Sequence, residues 1–192
     1  ISACLVGSEM CIRDSDISGS MDDPIGDGRS RLDGAIEGAQ STLNHFRSTD
    51  EIGVWAFTTG ISSDEGEGIQ VLRDVSALGS DGEKLDSSLD DLRYAQRNGT
   101  PLYDSILLAY EAMSERAEPG RINAIVVLSD GEDTDSSTSL DSLIAKIGKS
   151  TKEGGDDAPV RIFPIAYGEG ADTSALQLSL IHISEPTRQA EI

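Results

Sequence analysis

The chain is poor in the side chains that form cross-links and soft-metal sites. It has 2 cysteines and 2 histidines among 192 residues. Cys4, Cys11 and His182 lie close to the two ends, so residues 16–177 contain no cysteine and have His45 as their single histidine. A disulfide framework needs paired cysteines, and a Cys/His zinc site needs several such ligands together. Both are therefore excluded from the central part of the chain.

Positive charge and long apolar runs are also scarce. The chain has 35 Asp and Glu against 15 Lys and Arg, a formal net charge of −20. Such a surface repels a phosphate backbone, so we expect no nucleic-acid partner. No apolar run approaches the roughly 20 residues of a membrane-crossing helix, and we expect no direct membrane insertion. The acidic composition is typical of saline or calcium-rich surroundings, which favours a cell-envelope or extracellular location over the cytoplasm.

The two ends of the chain are related to each other through their coding sequence. Residues 1–15 can be encoded by a string of bases whose reverse complement encodes residues 178–192. Both strings resemble an adapter used in sequencing libraries. We therefore expect residues 1–15 and 178–192 to be adapter-derived and not native, with residues 16–177 as the domain. Arg13 and Asp14 are then expected to be costly wherever they enter a covered strand.

The pattern of apolar residues predicts an α/β fold. Short, nearly continuous apolar runs at 52–57, 122–128 and 160–167 are typical of buried strands, and 69–73 is a candidate edge strand. Helical spacing covers 31–46, recurs at Leu85, Leu89 and Leu92, and runs from Leu102 to Met113 in a helix expected to have Pro101 just inside its start. It returns at 139–150. Because strands alternate with helices, we expect a mainly parallel sheet with helices on both faces.

One segment carries the clearest chemical signal. Asp16, Ser18 and Ser20 alternate in Asp-Ile-Ser-Gly-Ser-Met, directly after the position expected for the first strand. In an extended segment, residues two apart point the same way, so one carboxylate and two hydroxyls converge on a small volume. Two later segments accompany it, Gly99-Thr100-Pro101-Leu-Tyr-Asp and Leu-Ser-Asp130-Gly.

Together these three segments resemble the metal-ion-dependent adhesion site of the von Willebrand factor A-type (VWA) domain, and the chain looks closest to bacterial proteins that join a solute-binding domain to such a domain. The resemblance implies a doubly wound, mainly parallel sheet that is truncated here at both ends. It implies a non-enzymatic, divalent-metal-dependent protein-binding module whose partner presents an Asp or Glu. The metal would be Mg²⁺, or alternatively Mn²⁺ or Ca²⁺. The implied metal ligands are Asp16, Ser18, Ser20, Thr100 and Asp130.

Three other interpretations remain open at this level. Ser18 and Ser20 could serve only to cap the helix that follows. A magnesium-dependent phosphatase also places an aspartate after its first strand, but it usually has a second carboxylate two residues later, where this chain has Ser18. An intracellular scaffold that works with an ATPase would use the same five residues.

Overall fold

The structure, a computed structural model, contains a five-stranded sheet with the strand order β3-β2-β1-β4-β5. It describes residues 9–26, 28–43, 45–79, 89–90, 92, 98–130, 133–153 and 160–166. The strands β1, β2, β4 and β5 are parallel, and β3 pairs antiparallel with β2 at the edge. The mainly parallel α/β sheet predicted from the sequence is confirmed. The strands are β1 (Glu9–Asp16), β2 (Glu51–Ser63), β3 (Gly66–Ala77), β4 (Ile122–Ser129) and β5 (Val160–Ala166).

Three described α-helices flank the sheet: α1 (Arg31–Leu43), α2 (Leu102–Arg116) and α3 (Leu140–Glu153). The helix predicted to reach residue 46 ends at Leu43, and Phe46 packs against the core from outside the helix. The helix predicted around residues 85–92 lies largely outside the described residues. Among the helices that the structure describes, none is both long and apolar enough to cross a lipid bilayer.

Each face of the sheet has its own apolar core. On one face, α2 and α3 pack over Ile12, Phe57 and Ile125, all of which are fully buried. On the other face, α1 packs over Val54 together with the loop that follows β1. Side chains of a strand alternate between faces, so a central strand covered on both sides must be apolar at nearly every position. The second half of β2 is instead alternately exposed and half-buried, because the β2–β3 hairpin extends past the covered part of the sheet.

The central strand is β1, which pairs with β2 on one side and β4 on the other. Its residues 9–15 fall inside the segment predicted to be adapter-derived, and this domain boundary stays a prediction. The strand places Asp14 wholly in the core, where burial raises the pKa of the carboxyl to about 7. Its partner there is the Ser105 hydroxyl of α2. A buried carboxylate is the cost that the sequence predicts for this segment.

Because β1 and β4 are parallel neighbours, their carboxyl ends meet at the same edge of the sheet. In open α/β sheets this edge holds the crevice in which ligands bind. Asp16 is the last residue of β1, and Asp130 directly follows the end of β4. The loop that leads into α2 also reaches this edge, since Thr59 of β2 bonds to Gly99.

Candidate metal site

The first part of the site is the turn after β1. The backbone N–H of Ser18 donates to Asp16 Oδ1 over 2.8 Å, which reverses the chain directly after the strand. A short 3₁₀ helix, Gly19–Asp22, follows, and its Met21 is fully buried in the core on the α1 side. Ser18 stands at the N-cap position of this helix, yet its side chain makes no capping hydrogen bond. Its hydroxyl lies 3.1 Å from the hydroxyl of Ser20 instead, so the two oxygens share one volume.

Asp16 is fully buried at the bottom of the site. Its Oδ2 accepts a hydrogen bond of 2.6 Å from the hydroxyl of Ser129, the last residue of β4. Burial and, to a smaller extent, the negative charge of Asp130 raise the pKa of Asp16 to about 6, against the opposing hydrogen bonds from Ser129 and Ser18. The ionised carboxylate is therefore unfavourable here unless a positive charge accompanies it.

Asp130 supplies a second carboxylate beside the first. Its Oδ2 accepts a hydrogen bond of 2.8 Å from Nη1 of Arg31, the first residue of α1. Its Oδ1 is buried and has no hydrogen-bond partner among the residues that the structure describes. Buried carboxylate oxygens are nearly always hydrogen-bonded or bound to a cation, so this atom is a candidate contact for a cation.

Thr100 lies on the loop before α2 and is almost fully buried. Its backbone is held on both sides: its N–H donates to Thr134 Oγ1 over 2.9 Å, and its carbonyl accepts from Thr134 N over 3.1 Å. The N–H of Gly19 also donates to Asn98 O over 2.9 Å, which joins the first loop to the segment that carries Thr100.

Thr58 and Thr59 of β2 hold the segment that leads to Thr100 in place. The hydroxyl of Thr58 accepts from Asn98 N over 3.0 Å and donates to Gly99 O over 3.1 Å. The hydroxyl of Thr59 accepts from Gly99 N over 2.9 Å. A Cβ at Gly99 would overlap the carboxylate of Asp135, an exposed side chain that would have to move aside. The position of Thr100 therefore depends on β2 as well as on its own loop.

The structure links four of the five predicted ligands: Ser18 bonds to Asp16 and lies beside Ser20, and Arg31 contacts both Ser20 and Asp130. The fifth, Thr100, lies on the segment that Gly19 contacts through Asn98. Among the described residues no group of three or more His, Cys, Asp or Glu side chains is placed to hold a metal. A cation here would consequently depend on hydroxyl oxygens as well as on two carboxylates, a donor set that suits hard cations such as Mg²⁺.

The sequence did not indicate the residues that support these ligands. Ser129 is adjacent to Asp130 and could have been noticed only by its position. Arg31 and Thr58 carry no local pattern, since Arg31 is 99 residues from Asp130 and Thr58 is 40 from Asn98. Their contacts come from the sheet order alone.

Comparison with known proteins agrees with this architecture. The family model of the von Willebrand factor type A domain matches residues 15–132. No curated protein matches the chain.

Solved structures match the fold over most of the chain. Proximal thread matrix protein 1 from the mussel byssus matches with a TM-score of 0.66 and 15% identity, over 92% of this chain and 42% of that one. A second structure of that protein, with a zinc-occupied metal site, has a TM-score of 0.64, 14% identity and coverages of 92% and 42%. The manganese-loaded TRAP protein of Plasmodium vivax gives 0.62 and 17%, over 97% of this chain and 67% of that one. The chain spans about two fifths of the length of the mussel protein.

Proposed function

Because the chain belongs to the von Willebrand factor type A domain family, we propose that it is a protein-binding module whose contact with its partner depends on a divalent cation. The cation is Mg²⁺, or Mn²⁺ or Ca²⁺ in its place, and the partner presents an aspartate or glutamate. The proposed ligands of the cation are the side chains of Asp16, Ser18, Ser20, Thr100 and Asp130.

The observation that carries this proposal is the pairing of two buried carboxylates at one edge of the sheet. Asp16 is wholly buried, and the charge of Asp130 contributes to the raised pKa of its carboxyl. Two negative charges in a low-dielectric volume repel each other strongly, and a divalent cation between them removes that repulsion. The unpartnered Oδ1 of Asp130 supports the same assignment.

The donor set also supports the nature of the partner. Hydroxyl oxygens carry no formal charge, so two carboxylates are the only anions that this set offers to a cation. Because the other three proposed donors are neutral, a hard divalent cation held by this set would still favour a further hard, anionic oxygen, and a protein supplies such an oxygen as the carboxylate of Asp or Glu. The bound cation would supply this attraction, and the chain's own residues hold the oxygens that orient it.

Binding without catalysis is the function that the polar groups favour. Position 18 offers a hydroxyl engaged with Ser20, and a hydroxyl cannot act as a general acid near neutral pH. Transfer of a phosphoryl group also needs cationic stabilisation. The one lysine whose side chain is described, Lys146, is exposed on α3, and the described cationic side chain that contacts the proposed ligands, Arg31, is already paired with Asp130. A phosphatase assay tests this point: metal-dependent turnover that Asp16→Asn abolishes would establish the enzyme instead.

We also propose a location in the cell envelope or outside the cell. The net charge of −20 supports it, as does the fold shared with a protein of the mussel byssus. A fusion of the full-length natural protein to a reporter that fluoresces only in the cytoplasm would refute this location if it became bright in the native host.

Mn²⁺ allows cation and ligand to be followed separately. The relaxation rate of water protons rises when Mn²⁺ binds a protein and falls again when a ligand displaces its bound water. With the full chain we expect one Mn²⁺ to bind, and a short peptide with one Asp, at millimolar concentration, to lower the enhanced rate. The same peptide with Asn in place of Asp should have little effect.

Two variants complete the experiment. Asp16→Asn should abolish Mn²⁺ binding. Asp133→Asn is the matched control, because Asp133 is a nearby carboxylate that bonds to Tyr103 N and Ser136 Oγ and is not a proposed ligand. Equal Mn²⁺ binding by the parent chain and Asp16→Asn, or equal effects of the Asp and Asn peptides, would contradict the proposal.

A further inference from the structure

Arg31 is a fixed positive charge at the rim of the proposed metal site. Its Nη1 lies 2.8 Å from Asp130 Oδ2, 3.3 Å from the carbonyl oxygen of Ser20 and 3.3 Å from Asp23 Oδ2. Two of these three partners, Asp130 and Ser20, belong to the proposed ligands. The side chain of Arg31 is 22% exposed and that of Asp130 is 7% exposed, so solvent screens this ion pair much less than a surface pair.

The guanidinium takes only one of the two oxygens of Asp130. Oδ1 is buried without a partner among the described residues, while Oδ2 is bound to Arg31. A cation at the proposed site would reach Asp130 through Oδ1, or through a water on it, and Arg31 would keep Oδ2. The charge of Asp130 is thereby divided between two cations.

Arg31 changes the net charge that the site would have with a divalent cation bound. Asp16 and Asp130 together carry −2, which a divalent cation cancels. Arg31 adds +1 to that neutral set, so the loaded site has a net positive charge beside the coordination position left for a partner. Asp23 also contacts Arg31, but its side chain is 60% exposed and its charge is mostly screened.

We propose that Arg31 sets the ligand specificity of this site: by sharing Asp130 with the cation it weakens cation binding and strengthens the selection of a carboxylate ligand over a neutral oxygen. The inference rests on the proposed function, because it concerns the same cation and the same acidic partner. It adds a residue outside the ligand set, and it assigns to that residue opposite effects on the two binding steps.

A purely structural role for Arg31 makes a different prediction. If Arg31 only fastened the start of α1 to the sheet, its loss would disturb Asp130 and Ser20, and cation and ligand affinity would fall together. An electrostatic role makes the two affinities change in opposite directions. The sign of the two changes therefore separates these roles without any reference to thermal stability.

The experiment measures two affinities in four variants of the full chain. Mn²⁺ affinity is measured by calorimetric titration without ligand, and the affinity for the Asp peptide by water-proton relaxation at saturating Mn²⁺. Arg31→Met keeps the apolar stem and removes the charge, and Arg31→Lys keeps the charge. Arg29→Gln removes the same charge two residues away, where the guanidinium pairs with Glu37. Asp23→Asn removes the exposed partner of Arg31.

Arg31→Met should bind Mn²⁺ about tenfold more tightly and the Asp peptide about tenfold more weakly, the order of effect that one partly buried unit charge exerts over a few ångströms. Arg31→Lys should restore both affinities to within about threefold of the parent. Arg29→Gln and Asp23→Asn should change either affinity by less than about threefold.

Parallel changes in the two affinities of Arg31→Met, or the same change in Arg29→Gln, would overturn the role of Arg31. Unaltered affinities in Arg31→Met, in a chain that binds both Mn²⁺ and the Asp peptide, would overturn this inference and leave the proposed function intact. A parent chain that binds no Mn²⁺ would overturn both.

Discussion

Replacing Asp16 by asparagine separates the cost of its buried charge from its role as a ligand. The substitution keeps the shape of the side chain. The amide oxygen can accept the hydrogen bond from Ser18 N, and the amide nitrogen can donate to Ser129 Oγ, because a hydroxyl oxygen accepts as well as donates. The two hydrogen bonds that hold residue 16 are thus retained, and only the ability to ionise is lost.

The expected magnitude follows from the raised pKa. Burial shifts the pKa of Asp16 from 3.8 to about 6. A shift of about two units corresponds to about 3 kcal/mol, since one unit is worth about 1.4 kcal/mol. The folded state holds the proton up to about pH 6, whereas the unfolded chain releases it near pH 3.8. The stability of the metal-free protein therefore falls as the pH rises from 3.8 to about 6 and stays low above it.

An asparagine at this position cannot ionise, so the variant escapes this loss. In EDTA at pH 8, Asp16→Asn should be more stable than the parent by up to about 3 kcal/mol, or roughly 6–12 °C in melting temperature for a chain of this size. The difference should disappear near pH 4. With Mg²⁺ at about 100 times its dissociation constant the parent should gain about 2.7 kcal/mol, and the variant should gain nothing.

Urea denaturation followed by circular dichroism, at pH 4 to 8 with EDTA or Mg²⁺, measures these differences. Asp50→Asn is the matched control. Burial acts to raise the pKa of Asp50, but the hydrogen bonds from Arg47 and from Glu9 N outweigh it and hold the pKa below its ordinary value. Asp50 therefore stabilises the fold at neutral pH, and this contribution is lost as the pH falls through its lowered pKa. Asp50→Asn should accordingly be destabilised to a similar extent from pH 8 down to pH 4, because the contribution of Asp50 is lost only below its ordinary pKa of 3.8.

Two results would refute the reasoning. If the difference in stability between Asp16→Asn and the parent in EDTA were the same at pH 8 as at pH 4, the buried charge of Asp16 would carry no cost. If the variant kept the full response to Mg²⁺, Asp16 would not be a ligand.

Three further substitutions test the surroundings of the site. Asp14→Val removes a carboxyl whose pKa is raised by burial to about 7. In urea denaturation this variant should be more stable than the parent by up to about 4 kcal/mol at pH 8 and by little near pH 4. An equal gain in stability at both pH values would show that the charge of Asp14 is not the cause. Thr58→Val leaves the N–H of Asn98 without its hydroxyl acceptor and removes one of the two hydrogen bonds to the Gly99 carbonyl, which also accepts from Thr59 N. It should lower stability by about 1 kcal/mol and Mn²⁺ affinity in calorimetric titration about tenfold, while Thr58→Ser should keep both near the parent values; a valine variant that binds Mn²⁺ as tightly as the parent would contradict the role of this hydroxyl. Gly99→Ala displaces the carboxylate of Asp135, which accepts from the same Thr134 hydroxyl that holds Thr100 N, and should therefore weaken Mn²⁺ binding in the same titration. Gly38→Ala, which meets open space in α1, should leave binding unchanged and raise stability by about 1 kcal/mol; similar Mn²⁺ affinities in the two alanine variants would show that Asp135 moves aside without any effect on Thr100.

Much of the fold was readable from the sequence because it depends on local patterns. The buried strands appear as short apolar runs, and the run predicted at 122–128 corresponds closely to β4, Ile122–Ser129. Pro101 marked the start of α2 to within one residue: it was expected just inside the helix, and it is the N-cap of a helix that begins at Leu102. The three oxygen-bearing segments were also recognisable from their residue types. Their proximity could be expected because the carboxyl ends of parallel strands meet at one edge of the sheet.

Where the sequence-based boundaries were wrong, contacts with the rest of the chain had decided them. The edge strand predicted at 69–73 extends over Gly66–Ala77, because pairing with β2 continues past the apolar residues. The first helix ends at Leu43, and Phe46 is drawn into the core from outside it. Neither boundary could be predicted from neighbouring residues, because both are set by packing between segments that are distant in the sequence.

The sequence by itself determined which residues could serve as ligands, because the type of side chain fixes the chemistry of each oxygen. Only the tertiary structure decided how those oxygens are supported and charged. Ser129 reaches Asp16 across 113 residues, and Arg31 reaches Asp130 across 99. Such contacts depend on the order and register of the strands, and neither can be predicted from the spacing of residues along the chain. The physical reason is that a hydrogen bond acts over about 3 Å in space, whatever the separation in sequence.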